Sequence, residues 1–174
     1  YRVTIKGRLN GHEGAYSTSE GPLEAALKDN FPEIEKVTRL IDNNGLPASP
    51  SKFSIRKGTN NIQEKRVVYT ESSLFDVFTL PMVAGDPKKS LDDPHTAVIT
   101  ERTAQKYFGK TDVVGQVLTI NDTSLYRITG VIKDIPSQSH FNYDFFLSFS
   151  TLPESRWTGW GYGGVHNYLL LRPG

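Results

Sequence analysis

A chain of 174 residues is long enough for one large domain or two small lobes around a packed core, and 37% hydrophobic with 22% charged residues is ordinary for a globular protein, which excludes a disordered chain. The 20 Lys and Arg are matched by 19 Asp and Glu along the whole length, so the concentrated basic footprint of a nucleic-acid binder is missing and nucleic acid is not an expected partner. The absence of cysteine removes disulfide scaffolds, thiolate zinc sites and thiol nucleophiles together, and no apolar run approaches the roughly 20 residues that span a bilayer.

Tyr1 to Lys6 alternates apolar and polar residues and predicts a half-buried strand. Asn10 to Glu20, rich in Gly, Ser and Glu, reads as a loop. Gly21-Pro22 then opens a short helix whose apolar stripe is Leu23, Ala26, Leu27 and Phe31, and Pro32 ends it by excluding helical geometry from the residue before. Ile34 to Ile41 predicts a strand, and Asp42 to Ser51 a hairpin tip. Phe53 to Arg56 and Lys65 to Tyr69 are two more strands, with Lys57 to Asn61 between them. Ser72 to Phe78 is a helical turn or two, with Phe75 and Phe78 read as core at helical spacing. Met82 to Gly85 leads into a turn at Asp86-Pro87-Lys88-Lys89.

Thr96 to Ile99 predicts a strand, and Thr100 caps, by its side-chain oxygen, a helix from Glu101 to Phe108 that Gly109 closes in the left-handed conformation. Gln116 to Ile120 and Leu125 to Ile132 flank Asn121-Asp122-Thr123-Ser124 as a hairpin. Asp134-Ile135-Pro136 breaks the pattern, with Asp134 as a turn residue bonding its own backbone. Asn142 to Phe149 and Asn167 to Leu171 are the last strands, joined by a loop rich in Trp and Gly. About eight strands and three short helices in mixed order give the fold class α+β. The chain opens and stops inside strand-like patterns, which predicts a domain taken from a longer protein.

No catalytic constellation emerges from these residues. The four histidines, His12, His95, His140 and His166, have no metal-ligand spacing. His140 and Asp144 are a candidate hydrolase pair, but the stretch between them reads as a strand, where four residues span about 13 Å, and His140 is better explained as packed or hydrogen-bonded at a corner. Trp160-Gly161-Tyr162-Gly163-Gly164 has no strand-to-helix context and is not a phosphate loop. With Trp157 it supplies the candidate surface, Trp157, Trp160 and Tyr162, either as a docking site for another protein or as an aromatic platform for a glycan or lipid. No catalytic, cofactor or metal residue is assigned.

An ordered set of motifs carries a resemblance. It runs from Tyr1-Arg2-Val3 and Leu23-Glu24-Ala25-Ala26-Leu27-Lys28 through Leu74-Phe75-Asp76-Val77-Phe78, Gly85-Asp86-Pro87, Ala97-Val98-Ile99-Thr100-Glu101 and Ala104 to Gly109. It continues with Gly115, Tyr126 to Pro136 and Ser139-His140-Phe141. In that order these resemble the MacB-like periplasmic core domain of FtsX/MacB-type ABC transporter permeases, in its Bacteroidetes form, with departures at Val113 and Gln138, both in turns. The resemblance implies a two-lobed α+β domain, a porter-like α/β lobe with an inserted strand-rich lobe. It assigns 1–41 plus 141–174 to the membrane-proximal lobe and 42–140 to the insertion. It also implies a non-catalytic periplasmic domain of an inner-membrane permease, with ATP hydrolysis in a cytoplasmic ATP-binding subunit or domain. A second permease copy and a periplasmic or outer-membrane protein are the further implied partners. Export, lipoprotein release and control of an envelope partner are the roles implied, and no cofactor is.

Overall fold

The structure, a computed structural model, describes residues 1–9, 12–42, 52–160 and 163–173. The tip expected over Asp42 to Ser51 therefore lies, beyond Asp42, outside the described residues. Twelve strands and three α-helices are described: β1 (Ile5–Leu9), β2 (His12–Tyr16), α1 (Leu23–Asn30), β3 (Ile34–Leu40), β4 (Phe53–Lys57), β5 (Asn60–Glu64), β6 (Val67–Thr70), α2 (Leu74–Val77), β7 (Met82–Gly85), β8 (Thr96–Thr100), α3 (Glu101–Phe108), β9 (Val117–Ile120), β10 (Ser124–Ile132), β11 (Phe145–Ser148) and β12 (His166–Leu171).

The organising element is an eight-stranded mixed sheet in the order β5-β4-β9-β10-β8-β11-β6, with β7 also paired to β10. Its strands β8, β11 and β6 are the continuous apolar runs of the sequence, Ala97-Val98-Ile99, Phe145-Phe146-Leu147 and Val67-Val68-Tyr69, all buried. Such runs bury both faces of a sheet rather than one. On one face Ala97, Ile99, Phe145, Leu147, Val67 and Tyr69 pack with Ala104 and Tyr107 of α3. On the other, Val98, Phe146 and Val68 pack with Leu74 of α2, Leu40 of β3 and Tyr168 of β12.

β10 changes face part way along. Tyr126, Ile128 and Val131 all point into the first cluster although Val131 is out of step with the other two. The register against β8 slips between Ile128 and Gly130. Thr129 is the residue left over, and its hydroxyl donates to the Ser90 carbonyl at 2.5 Å. A bulge of one residue inverts side-chain parity beyond it, and here it lets one strand serve β9 first and β7 afterwards.

A second, smaller sheet pairs β12 with β3. The first three residues run alongside β12, with the Leu169 N–H donating to the Tyr1 carbonyl at 2.7 Å and the Val3 N–H to the Asn167 carbonyl at 2.9 Å. Ile41 exchanges two backbone hydrogen bonds of 2.9 Å with Tyr69, tying this sheet to the β6 edge of the large one. α1 lies on β3 through an ionic contact: Arg39 Nε is 2.7 Å from the Glu24 carboxylate and its Nη2 is 2.9 Å from that of Glu71.

Several sequence expectations change. The strand expected at Tyr1 to Lys6 is an extended segment on β12 followed by β1. Half of the loop expected at Asn10 to Glu20 is β2, paired to β1 from Ile5↔Tyr16 to Leu9↔His12. The stretch beyond Lys57 is a turn at Gly58, where φ is 59°, followed by strand β5. Phe31 is not part of a buried stripe: it is 48% exposed, and the buried residue of α1 is Glu24, drawn in by Arg39. No helix among the described residues is long and apolar enough to cross a membrane.

Candidate functional site

The candidate surface sits where the chain returns from the large sheet to the small one. After β11 two short 3-10 turns, Phe149–Thr151 and Pro153–Arg156, deliver Trp157 to the surface. Trp157 and Trp160 are 51% and 58% exposed. Tyr162, the third member of the expected set, lies outside the described residues.

The base of this loop is fixed although its tip is exposed. Val165 is fully buried and exchanges backbone hydrogen bonds with Ser19 at 2.8 and 3.1 Å. Asn167, also buried, donates from Nδ2 to Ser19 Oγ at 2.7 Å, and Ser19 Oγ donates in turn to the Val165 carbonyl at 3.3 Å. His166 Nδ1 donates to the Ser17 carbonyl at 3.0 Å, which leaves Nε2 facing the Asp42 carboxylate at 3.9 Å. Glu20 approaches the loop closely, with Oε1 3.6 Å from where a Cβ on Gly163 would stand. The two indoles are thus mounted on a hydrogen-bonded frame of Ser17 to Glu20 and Val165 to Asn167.

His140 and Asp144 are not a catalytic pair in this fold. His140 Nε2 is 3.1 Å from the Tyr168 hydroxyl, and its ring lies 5.0 Å from Phe141 and 6.5 Å from Phe78. Partial burial, with Arg2 adding to it, pushes the imidazole below its usual range. Asp144 is buried and joins β6 to α3: its carboxylate pairs with Arg66 and accepts from Arg102 Nε at 2.7 Å. No hydrogen bond or ion pair joins it to His140. A buried carboxylate shared by two guanidiniums is an architectural tie, since removing either side leaves an uncompensated charge.

The motif residues around α3 also have structural work. Thr100 occupies the cap position, but its hydroxyl is 2.9 Å from Thr103 Oγ1 and donates to Asp144 at 3.4 Å, and it accepts no N–H of the helix backbone. The backbone acceptor comes instead from Asp134, whose carboxylate accepts the Arg102 N–H at 3.0 Å. Asp134 therefore caps a helix some thirty residues away in sequence rather than its own turn, a role no local pattern announces. Among the described residues no group of three or more His, Cys, Asp or Glu is placed to hold a metal ion.

Sequence reasoning missed an aromatic group around β12. Phe78 meets Phe141 at 4.9 Å and Tyr168 at 5.1 Å, both edge-on, and His140 lies 5.5 Å from Tyr168. Arg2 belongs to the same place, because residue 2 bridges Tyr168 across the small sheet. These positions span nearly the whole chain, so no spacing in the sequence signals them.

Comparison with known proteins gives a consistent picture. Residues 1–174 match the family described as MacB-like periplasmic core domain. A crystal structure of a domain assigned to a permease protein from Porphyromonas gingivalis is similar to this chain, with a TM-score of 0.78 and 26% identity over 98% of this chain and 71% of that one. The extracellular domain of the noncanonical ABC-type transporter YknZ from Gram-positive bacteria has a TM-score of 0.64 at 13% identity, covering 99% of this chain and 84% of that one. The periplasmic region of MacB from Actinobacillus actinomycetemcomitans gives a TM-score of 0.49 at 15% identity, covering 84% and 79%. No curated protein matches the chain in sequence.

Proposed function

This chain belongs to the MacB-like periplasmic core domain family of ABC transporter permeases, and from that premise we propose that it is a lever that carries an ATP-driven movement outward from the membrane. The carrying observation is the arrangement of the small sheet. Residues 1–3 and β12 lie antiparallel and hydrogen-bonded, so polypeptide continuing from either side is coupled at one end of the domain. The loop that carries Trp157 and Trp160 runs into β12 at its other end, His166, and the six residues of β12 span about 17 Å. The small sheet is tied through Ile41 and Tyr69 to the edge of the large, doubly covered sheet, and packed cores pass displacement on because they are close to incompressible.

In this reading membrane-spanning segments flank the domain, and ATP is hydrolysed by a cytoplasmic subunit or domain. Two permease copies move together, and the indole-bearing end docks a periplasmic or outer-membrane protein. Export, lipoprotein release and control of an envelope partner are the outputs such a device serves. The division into a membrane-proximal lobe of 1–41 plus 141–174 and an inserted lobe of 42–140 belongs to the same proposal. The separate sheet of residues 1–3, β3 and β12 supports it, with β11 as the part of the return that enters the large sheet.

The test uses the whole permease reconstituted with its ATPase. A spin label at Leu125→Cys, on an exposed hairpin residue, is measured between the two copies with and without ATP plus vanadate. We expect the inter-label distance to differ between the two nucleotide states. Identical distance distributions in a complex that hydrolyses ATP would refute transmission through this domain.

A further inference from the structure

The aromatic group at β12 lines an open, solvent-facing cavity that the lever reading does not use. It has a volume of ≈ 290 Å³ and is lined by Tyr1, Arg2, Phe78, His140 and Tyr168. This is near the lower end for small-molecule pockets, which run from about 300 Å³ upward. Its walls are ring faces and edges, fixed by the contacts of Phe78 with Tyr168 and Phe141. Arg2 carries the one charged side chain in that lining.

Arg2 is held in place through its backbone, by the bridge to Tyr168 and the Val3–Asn167 hydrogen bond. No carboxylate among the described residues forms an ion pair with it. Its guanidinium nonetheless reaches the Tyr168 hydroxyl, where it opposes the upward push of burial on that group. The Tyr1 ammonium is turned to the Leu169 carbonyl, to which it donates at 2.8 Å, so Arg2 is the charged side chain that the cavity presents against an apolar, π-rich wall. A guanidinium without an acid partner at the mouth of such a wall is complementary to a molecule with one anionic end and an apolar body.

We propose that this cavity binds an anionic amphiphile, a carboxylate or phosphate monoester on an aliphatic or aromatic body, with the anion on Arg2 and the body against Phe78 and Tyr168. The site is independent of the lever reading: it stands or falls on the binding of a small ligand to this chain alone.

Sodium decanoate, kept below its micellar concentration, is titrated into the 174-residue chain and followed by calorimetry and by amide and imidazole NMR shifts. Saturable binding is expected, with shifts centred on Arg2, His140 and Tyr168. Arg2→Gln weakens it about tenfold or more, the usual loss for a charge-assisted contact, while Arg2→Lys stays within a few fold and Leu125→Ser leaves it unchanged. Thermal melts of each variant separate lost binding from lost fold, and Arg2 is exposed enough for the substitution to spare the core. Decyltrimethylammonium, the same chain with the opposite charge, and acetate, the same charge without the chain, are both expected not to bind. The proposal fails if the cationic amphiphile binds as tightly as decanoate, if folded Arg2→Gln binds as wild type, or if the shifts map elsewhere. Sedimentation with phosphatidylglycerol vesicles, displaced by decanoate, identifies a membrane lipid as the source. Decanoate binding without vesicle binding identifies a free amphiphile.

Discussion

Gly85 shows how tightly a single position can be specified. Its φ is 100°, and a Cβ there would stand 2.3 Å from the Thr129 carbonyl oxygen and 2.8 Å from the Gly130 Cα. Gly130 answers it across the β7–β10 pair, where a Cβ would meet Met82 Sδ at 3.0 Å and Val98 Cγ2 at 3.2 Å. The motif residues Gly85-Asp86-Pro87 and Thr129-Gly130 are thus the two sides of one close backbone approach beside a bulge. Gly85→Ala is expected to cost about 3 kcal/mol, roughly 10 °C in melting temperature, because both strain and backbone contact oppose it. Gly109 is the control: its φ is 69° but nothing lies within 4 Å of an added Cβ, so Gly109→Ala costs only about 1 kcal/mol. Equal melting temperatures for the two variants would contradict the contact argument.

At the level of elements, α3 is the clearest case of a helix whose ends are held by different means. Gly109 closes it locally, its N–H donating to the Gln105 carbonyl at 2.9 Å with the backbone left-handed. Its start depends on Asp134, which comes from the segment after β10, and on Arg102 reaching the buried Asp144. Asp134→Ala should cost about 1 kcal/mol by removing the acceptor for the Arg102 N–H, whereas Asp134→Asn keeps an acceptor and should cost a few tenths. Chemical denaturation of the three proteins measures this, and an asparagine variant as unstable as the alanine one would show that the carboxylate acts otherwise than as a cap. The C-terminal end of α3 was legible because its signal lies within five residues. Only the capping position at the other end was, since its acceptor arrives from elsewhere in the chain.

Across the whole molecule, protection is graded by position in the large sheet. β8, β11 and β6 are buried along their whole lengths, while β5 is a largely exposed edge strand and β1 pairs only with β2. Opening an edge strand exposes little apolar surface, but opening β8 disrupts both hydrophobic clusters at once. Amide exchange is expected to be slowest in β8 and β11 and faster by orders of magnitude in β5 and β1–β2. Uniform protection would mean that the domain opens only as a unit, without local fraying. The same gradient suits a lever, since the stiff part lies between the small sheet and the distal hairpins.

How much of this was written in the chain follows from the range of the forces involved. Lys65 to Tyr69, Thr96 to Ile99 and Asn142 to Phe149 read as strands because apolar, β-branched and aromatic runs are a local property, and Asn121-Asp122 marked its hairpin because both residues favour the positive φ values, 51° and 65°, that they adopt. β2 and β5 were missed because their strand character is supplied by the neighbouring backbone rather than by their own mostly polar side chains, although Asn10-Gly11 is itself a turn signal. Of the candidate surface, Trp157 and Trp160 could be singled out by type, while the frame of Ser19, Val165 and Asn167 beneath them could not. The face reversal in β10, the capping of α3 by Asp134 and the meeting of Arg2, Phe78, His140 and Tyr168 were decided by tertiary structure alone. Each joins residues whose separation in sequence carries no periodicity, and only the closure of two sheets around one core brings them within hydrogen-bonding or van der Waals reach.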